Sequence, residues 1–91
     1  MTDDREARAP AQERISVTAM SEVWRRELGV AAVRPGDDFF DLGGHSMAAA
    51  RIVQQVEDLT GVRLPVPTVF DHPTAEALAA LVNDWTDETP P

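Results

Sequence analysis

Three stretches of this sequence place apolar residues at three- and four-residue spacing, and none alternates apolar with polar at period two. That pattern admits helices packed on helices and leaves no material for a sheet. The first stripe, from about Gln12 to Leu28, carries Val17, Met20, Trp24 and Leu28, and Gly29 follows as a left-handed stop. Arg25 and Arg26 near its end suit the negative pole of a helix. The second starts near Ser46, runs through Ala48, Ala49, Ile52, Val53, Val56 and Leu59, and stops at Gly61. At 100° per residue those six side chains fall within a sector of about 140°, with Met47, Ala50, Arg51, Gln54 and Asp58 opposite. The third follows Pro73, with Thr74 as N-cap, Glu76 in the first turn and Leu78, Leu81, Val82 and Trp85 facing inward. Between the second and third, the stretch from Val62 to Pro73 holds Pro65 and Pro67, two residues apart, and then Val69 and Phe70, which predicts one short helical turn. The expectation is an all-α bundle of three main helices plus one short helix.

A chain of 91 residues makes one domain with a small core, which excludes most self-contained enzymes. It has no cysteine and two histidines, so it offers no disulfide, no thiolate nucleophile, no Cys-based metal centre and too few ligands for a closed metal site. The net charge of -8 argues against nucleic acid and anionic membrane as partners and favours proteins with basic surfaces. No signal peptide opens the sequence and no run of eighteen apolar residues occurs, so the expected compartment is the cytoplasm. Residues 1–11 and 86–91 are polar, charged and proline-bearing and are expected to be flexible tails around a domain at 12–85. Three stripes that satisfy one another predict a monomer. The start at Met1 and the end soon after the last stripe suggest a free-standing protein.

The connection from Gly29 to His45 spans seventeen residues, against ~2–8 between most bundle helices, and ordered loops of that length tend to be functional. It ends in Asp37-Asp38-Phe39-Phe40-Asp41-Leu42-Gly43-Gly44-His45-Ser46-Met47. Phe39 and Leu42 are spaced to pin the end of the loop to the core. The two glycines allow unusual dihedrals and clear the approach to Ser46. Ser46 stands where a helix begins, so the first-turn N–H groups favour negative charge beside it, such as an attached phosphate. A serine ahead of an amphipathic stretch ordinarily serves as a helix cap, and the position suits both roles.

The string as a whole resembles the phosphopantetheine attachment motif of carrier proteins, most closely that of peptidyl carrier (thiolation) domains of nonribosomal peptide synthetases. Asp37, Phe39, Leu42, Gly43, Gly44, His45, Ser46 and the apolar Met47 carry the match. Flanking support comes from Val23-Trp24-Arg25-Arg26-Glu27-Leu28-Gly29 and from Phe70-Asp71-His72-Pro73-Thr74, so the likeness covers roughly residues 12–85. It implies a non-catalytic carrier in an acyl-carrier-like bundle. A phosphopantetheinyl transferase, using magnesium and coenzyme A, attaches 4′-phosphopantetheine to Ser46. An adenylation enzyme then loads an aminoacyl group as a thioester, and condensation or tailoring enzymes act on it.

The same resemblance implies partner docking at Met47, an apolar side chain that the helical pattern leaves outside the core, with Arg51 nearby. His45 joins that recognition surface, and Val69 and Phe70 are further candidates, with a core role for Phe70 equally open. His45 and Ser46 do not make a nucleophile–base pair, because neighbouring residues at a helix start diverge and no nucleophile elbow surrounds them. His72 is expected to be an exposed loop residue. Asp37, Asp38 and Asp41 lack the calcium-loop pattern and are expected to be solvated. Three other readings stay open: an acyl carrier of a polyketide or hybrid pathway, an unmodified helical interaction domain, and a minimal hydrolase built on Ser46 and His45. The histidine before the serine favours the peptidyl type, whereas the Val69 to Thr74 run suits both carrier types.

Overall fold

A computed structural model describes residues 12–88, with side chains through residue 86. Four helices and no strand occur among them: α1 (Val17–Leu28), α2 (Ser46–Thr60), α3 (Pro67–Asp71) and α4 (Ala75–Glu88). The all-helical bundle therefore stands as expected. The expected N-terminal tail lies outside the described residues.

Helix α1 starts five residues later than its apolar spacing suggested. Ser16 is extended at φ -75° and ψ 157°, and its hydroxyl accepts from the Ala19 N–H at 3.0 Å. That satisfies one of the donors left over at a helix start. Gly29, at φ 68°, closes the helix by donating to the Arg25 carbonyl. The segment before α1 is held by Asn83 of α4, whose side chain accepts from Ile15 N–H at 2.8 Å and donates to Ile15 C=O at 2.9 Å. Ile15 is buried through this backbone clamp rather than through a helix.

Met20, Val23 and Trp24 of α1 meet Ala49, Ile52 and Val56 of α2 and Leu78, Ala79 and Val82 of α4 in one core. Helix α1 packs on both α2 and α4, and α3 packs on α2. Two expected core residues are instead surface residues. Leu59 is 48% exposed, and Thr60 takes the inward place at the last turn of α2, its hydroxyl donating to Val56 C=O and accepting from Val62 N–H. Trp85 is 36% exposed near the end of α4. That helix continues to Glu88, so residues 86–88 of the expected C-terminal tail are helical, with Thr86 Oγ1 donating to Asn83 C=O at 2.7 Å. Among the described residues, no helix is long and apolar enough to cross a membrane.

Candidate functional site

The long loop is fastened to the start of α4 by its own backbone. Phe39 N–H donates to Pro73 C=O at 2.6 Å, and Glu76 N–H donates to Pro35 C=O at 3.1 Å. Thr74, the expected N-cap, accepts from Ala77 N–H at 3.1 Å. Two of the first-turn donors of α4 are thus met, one by the cap and one by the loop.

Within the loop the carboxylates do structural work. Asp37 accepts from Arg34 N–H at 2.9 Å, and one oxygen of Asp38 accepts from both Phe40 N–H and Asp41 N–H. These side-chain-to-backbone bonds fold the chain into tight turns. Among the described residues, no cluster of histidine, cysteine, aspartate and glutamate could hold a metal ion. Phe39 is fully buried, as expected, and Leu42 packs partly buried against the core. The Phe39 ring lies edge-on to Trp24 and to Phe40 and tilted against Phe70.

The two glycines before the serine differ in what requires them. Gly43 has φ 88°, a conformation that L side chains rarely adopt. Gly44 has ordinary φ, but a Cβ there would fall under 3.0 Å from three carbons of the Phe39 ring. Its N–H donates to Phe39 C=O at 2.9 Å, which holds the backbone at 44 close to that residue.

Ser46 follows as the first residue of α2, with His45 in the N-cap position at φ -150° and ψ 177°. His45 makes no side-chain cap, and the first backbone bond of the helix runs from Ala49 N–H to His45 C=O at 2.9 Å. The N–H groups of Ser46, Met47 and Ala48 are therefore left for an external acceptor. Ser46 is exposed, and its hydroxyl has no hydrogen bond among the described residues, so it is not a helix cap. An exposed, unbonded hydroxyl at the positive end of a helix of about four turns suits a covalently attached phosphate diester.

His45, Met47 and Arg51 are all exposed around Ser46, with Met47 63% accessible. Phe70 is half-buried and stacks on Phe40 at 5.7 Å between centroids and 22° between planes. Phe40, 53% exposed, is the surface residue that sequence reading missed. Its neighbour Phe39 sits in the same run of two aromatics, and the turn made by Asp38 decides which ring faces inward. Two placements correct the expectations. Val69 is fully buried in the core, because in α3 it is the side chain that turns toward α2, so it is not part of an exposed docking surface. His72 is half-buried rather than exposed: it closes α3 by donating its N–H to Thr68 C=O, and its Nδ1 lies 3.3 Å from the same oxygen.

Comparison with known proteins bears on the family of the chain. The family model described as a phosphopantetheine attachment site matches residues 18–82. Tyrocidine synthase 3 of Brevibacillus parabrevis is 45% identical over 64 residues, which is 70% of this chain and 1% of that protein. The chain thus spans a small part of the length of the curated relatives that it matches, between 1% and 6% for the first three. The solution structure of an active-site mutant peptidyl carrier protein superposes with a TM-score of 0.77 at 33% identity, covering 93% of this chain and 94% of that one. A peptidyl carrier protein solved in complex with the phosphopantetheine transferase Sfp and coenzyme A superposes with a TM-score of 0.73 at 35% identity, covering 81% and 96%. With its helical build, its glycine lead-in and a match over most of its length, this chain belongs to the phosphopantetheine attachment family and is folded as a peptidyl carrier domain.

Proposed function

We propose that this protein is a carrier that receives 4′-phosphopantetheine on Ser46 Oγ and holds aminoacyl and peptidyl intermediates as thioesters in nonribosomal peptide-type synthesis. The observation that carries this reading is the exposed, unbonded Ser46 hydroxyl at the uncapped start of α2, in a chain of the attachment family. It catalyses no step itself and works in the cytoplasm. The carrier domain runs from residue 12 to the end of α4 at residue 88. Its partners are a phosphopantetheinyl transferase, an adenylation enzyme and condensation or tailoring enzymes. The complex of a similar peptidyl carrier with a transferase and coenzyme A supports the first of these.

In the attachment step the Ser46 oxygen forms a bond to the coenzyme A phosphorus that bears pantetheine. The bond from that phosphorus to adenosine bisphosphate breaks, and the serine proton passes to a base of the transferase. The chain's own part is positional: Gly43 and Gly44 let the backbone turn into α2 close against Phe39, and the N–H groups of Ser46, Met47 and Ala48 favour the diester charge. The attached group supplies the thiol that this cysteine-free sequence lacks. His45, Met47, Arg51 and Phe70 form the docking surface around the serine, with the exposed Phe40 stacked on Phe70.

The test is loading of the holo protein. After treatment with coenzyme A, magnesium and a broad-specificity transferase, the protein is offered ATP, amino acids and adenylation enzymes. An aminoacyl mass removed by hydroxylamine is expected, and it is absent in Ser46→Ala. Loading by malonyl-type acyltransferases alone would instead assign the chain to polyketide synthesis. Ester turnover lost in Ser46→Ala would assign it to the hydrolases, and no modification at all would leave a helical interaction domain.

A further inference from the structure

Gly44 is required by a neighbour and not by its own dihedrals. Its φ is ordinary, and what excludes a side chain is the Phe39 ring, three of whose carbons would lie under 3.0 Å from a Cβ. The ring is fixed from every side. It is fully buried, edge-on to Trp24 at 5.5 Å, against Phe40 and Phe70, and its backbone is bonded at both ends, N–H to Pro73 C=O and C=O to Gly44 N–H. Ser46 lies two residues beyond Gly44 as the first residue of α2, and its hydroxyl has no hydrogen bond among the described residues. The backbone at 44 pressed on this ring is therefore the anchor on the loop side of the serine, and α2 supplies the other.

We propose that Phe39 is a positioning residue for the attachment reaction: its ring, acting through the bare backbone of Gly44, sets where the start of α2 and the Ser46 oxygen stand. The inference rests on the attachment reading above. In-line displacement at phosphorus needs the attacking oxygen placed to within a fraction of an ångström, and a small displacement of a reacting atom costs rate rather than binding. Gly44 supplies no side chain to the docking surface, whereas the Phe39 ring backs Phe40 and Phe70 of that surface. The effect of Gly44→Ala should therefore fall on kcat of the transferase acting on this protein, and not on KM.

The experiment measures steady-state phosphopantetheinylation by one transferase with wild type, Gly44→Ala, Phe39→Leu and the double variant, with circular dichroism of each. Gly44→Ala is expected to lower kcat at least tenfold with KM for the carrier changed less than threefold. Phe39→Leu in the same chain removes the ring edge that the new Cβ meets, the added methyl fills the vacated space in the ring's stead, and kcat is expected to return to within about threefold of wild type. If Gly44→Ala does not fold, Phe39→Leu alone decides: it loosens the support and is expected to lower kcat by a larger factor than it raises KM. A folded Gly44→Ala with wild-type kcat overturns the proposal. So does a loss that appears only in KM, a folded double variant that is not rescued, or, where Gly44→Ala is unfolded, a Phe39→Leu variant with unchanged kcat. Failure of the attachment reading looks different, because wild type would then gain no phosphopantetheine.

Discussion

At Ser46 the hydroxyl touches nothing, and the stability of the fold should not depend on it. Ser46→Ala is expected to shift unfolding by no more than about 0.5 kcal/mol in urea titration while it abolishes attachment. Gly43→Ala should behave in the opposite way. Forcing an L side chain to φ 88° costs about 1–2 kcal/mol, seen as a lower Tm. A different kind of residue is Ser21, buried with no hydrogen-bond partner for its Oγ among the described residues. An unmet buried hydroxyl costs about 1–3 kcal/mol, so Ser21→Ala is expected to stabilise the protein in the same titration. The glycines and the serine of the site were legible in the sequence because their spacing forms a motif. Phe39 was legible as the inward ring from its spacing to Leu42, but which of Val69 and Phe70 faces inward was not: a five-residue helix is too short for periodicity to separate adjacent apolar side chains.

At the scale of elements, the apolar stripes gave the three main helices and their glycine stops at Gly29 and Gly61 correctly. They misplaced ends, because a stripe records which faces are buried and not where backbone bonding starts. Ile15 illustrates this: it falls within the Gln12 to Leu28 stretch expected to be helical, yet it precedes the helix and is held by a side-chain clamp from a helical residue sixty-eight positions away. That long-range pairing leaves no local signal. Asn83→Ala would leave both backbone groups of Ile15 without their part-buried partner, and is expected to cost about 1–3 kcal/mol in chemical denaturation. Leu59 was misread for a related reason. By angle it lies within the α2 stripe, between Ala48 and Ile52, but it belongs to the last turn, where Thr60 turns inward with both hydroxyl roles satisfied.

Over the whole molecule, the net charge of -8 fits a protein that meets larger partners briefly. Docking with such a charge is steered by long-range attraction to basic surfaces, which salt screens over about 8–10 Å. Raising ionic strength is therefore expected to lower kcat/KM for attachment by raising KM, the reverse of the Gly44→Ala effect on kcat. The missing cysteine gains its meaning at this scale too. A chain of all-helical build with no thiol can take part in thioester chemistry only through a group attached at its surface, and the structure offers Ser46 for that group. The most direct measurement is mass spectrometry of the tryptic peptide spanning residues 27–51 after incubation with coenzyme A, magnesium and a transferase. A single phosphopantetheine mass localised to Ser46 and absent from Ser46→Ala is the predicted result, and an unmodified peptide with several active transferases would contradict the account.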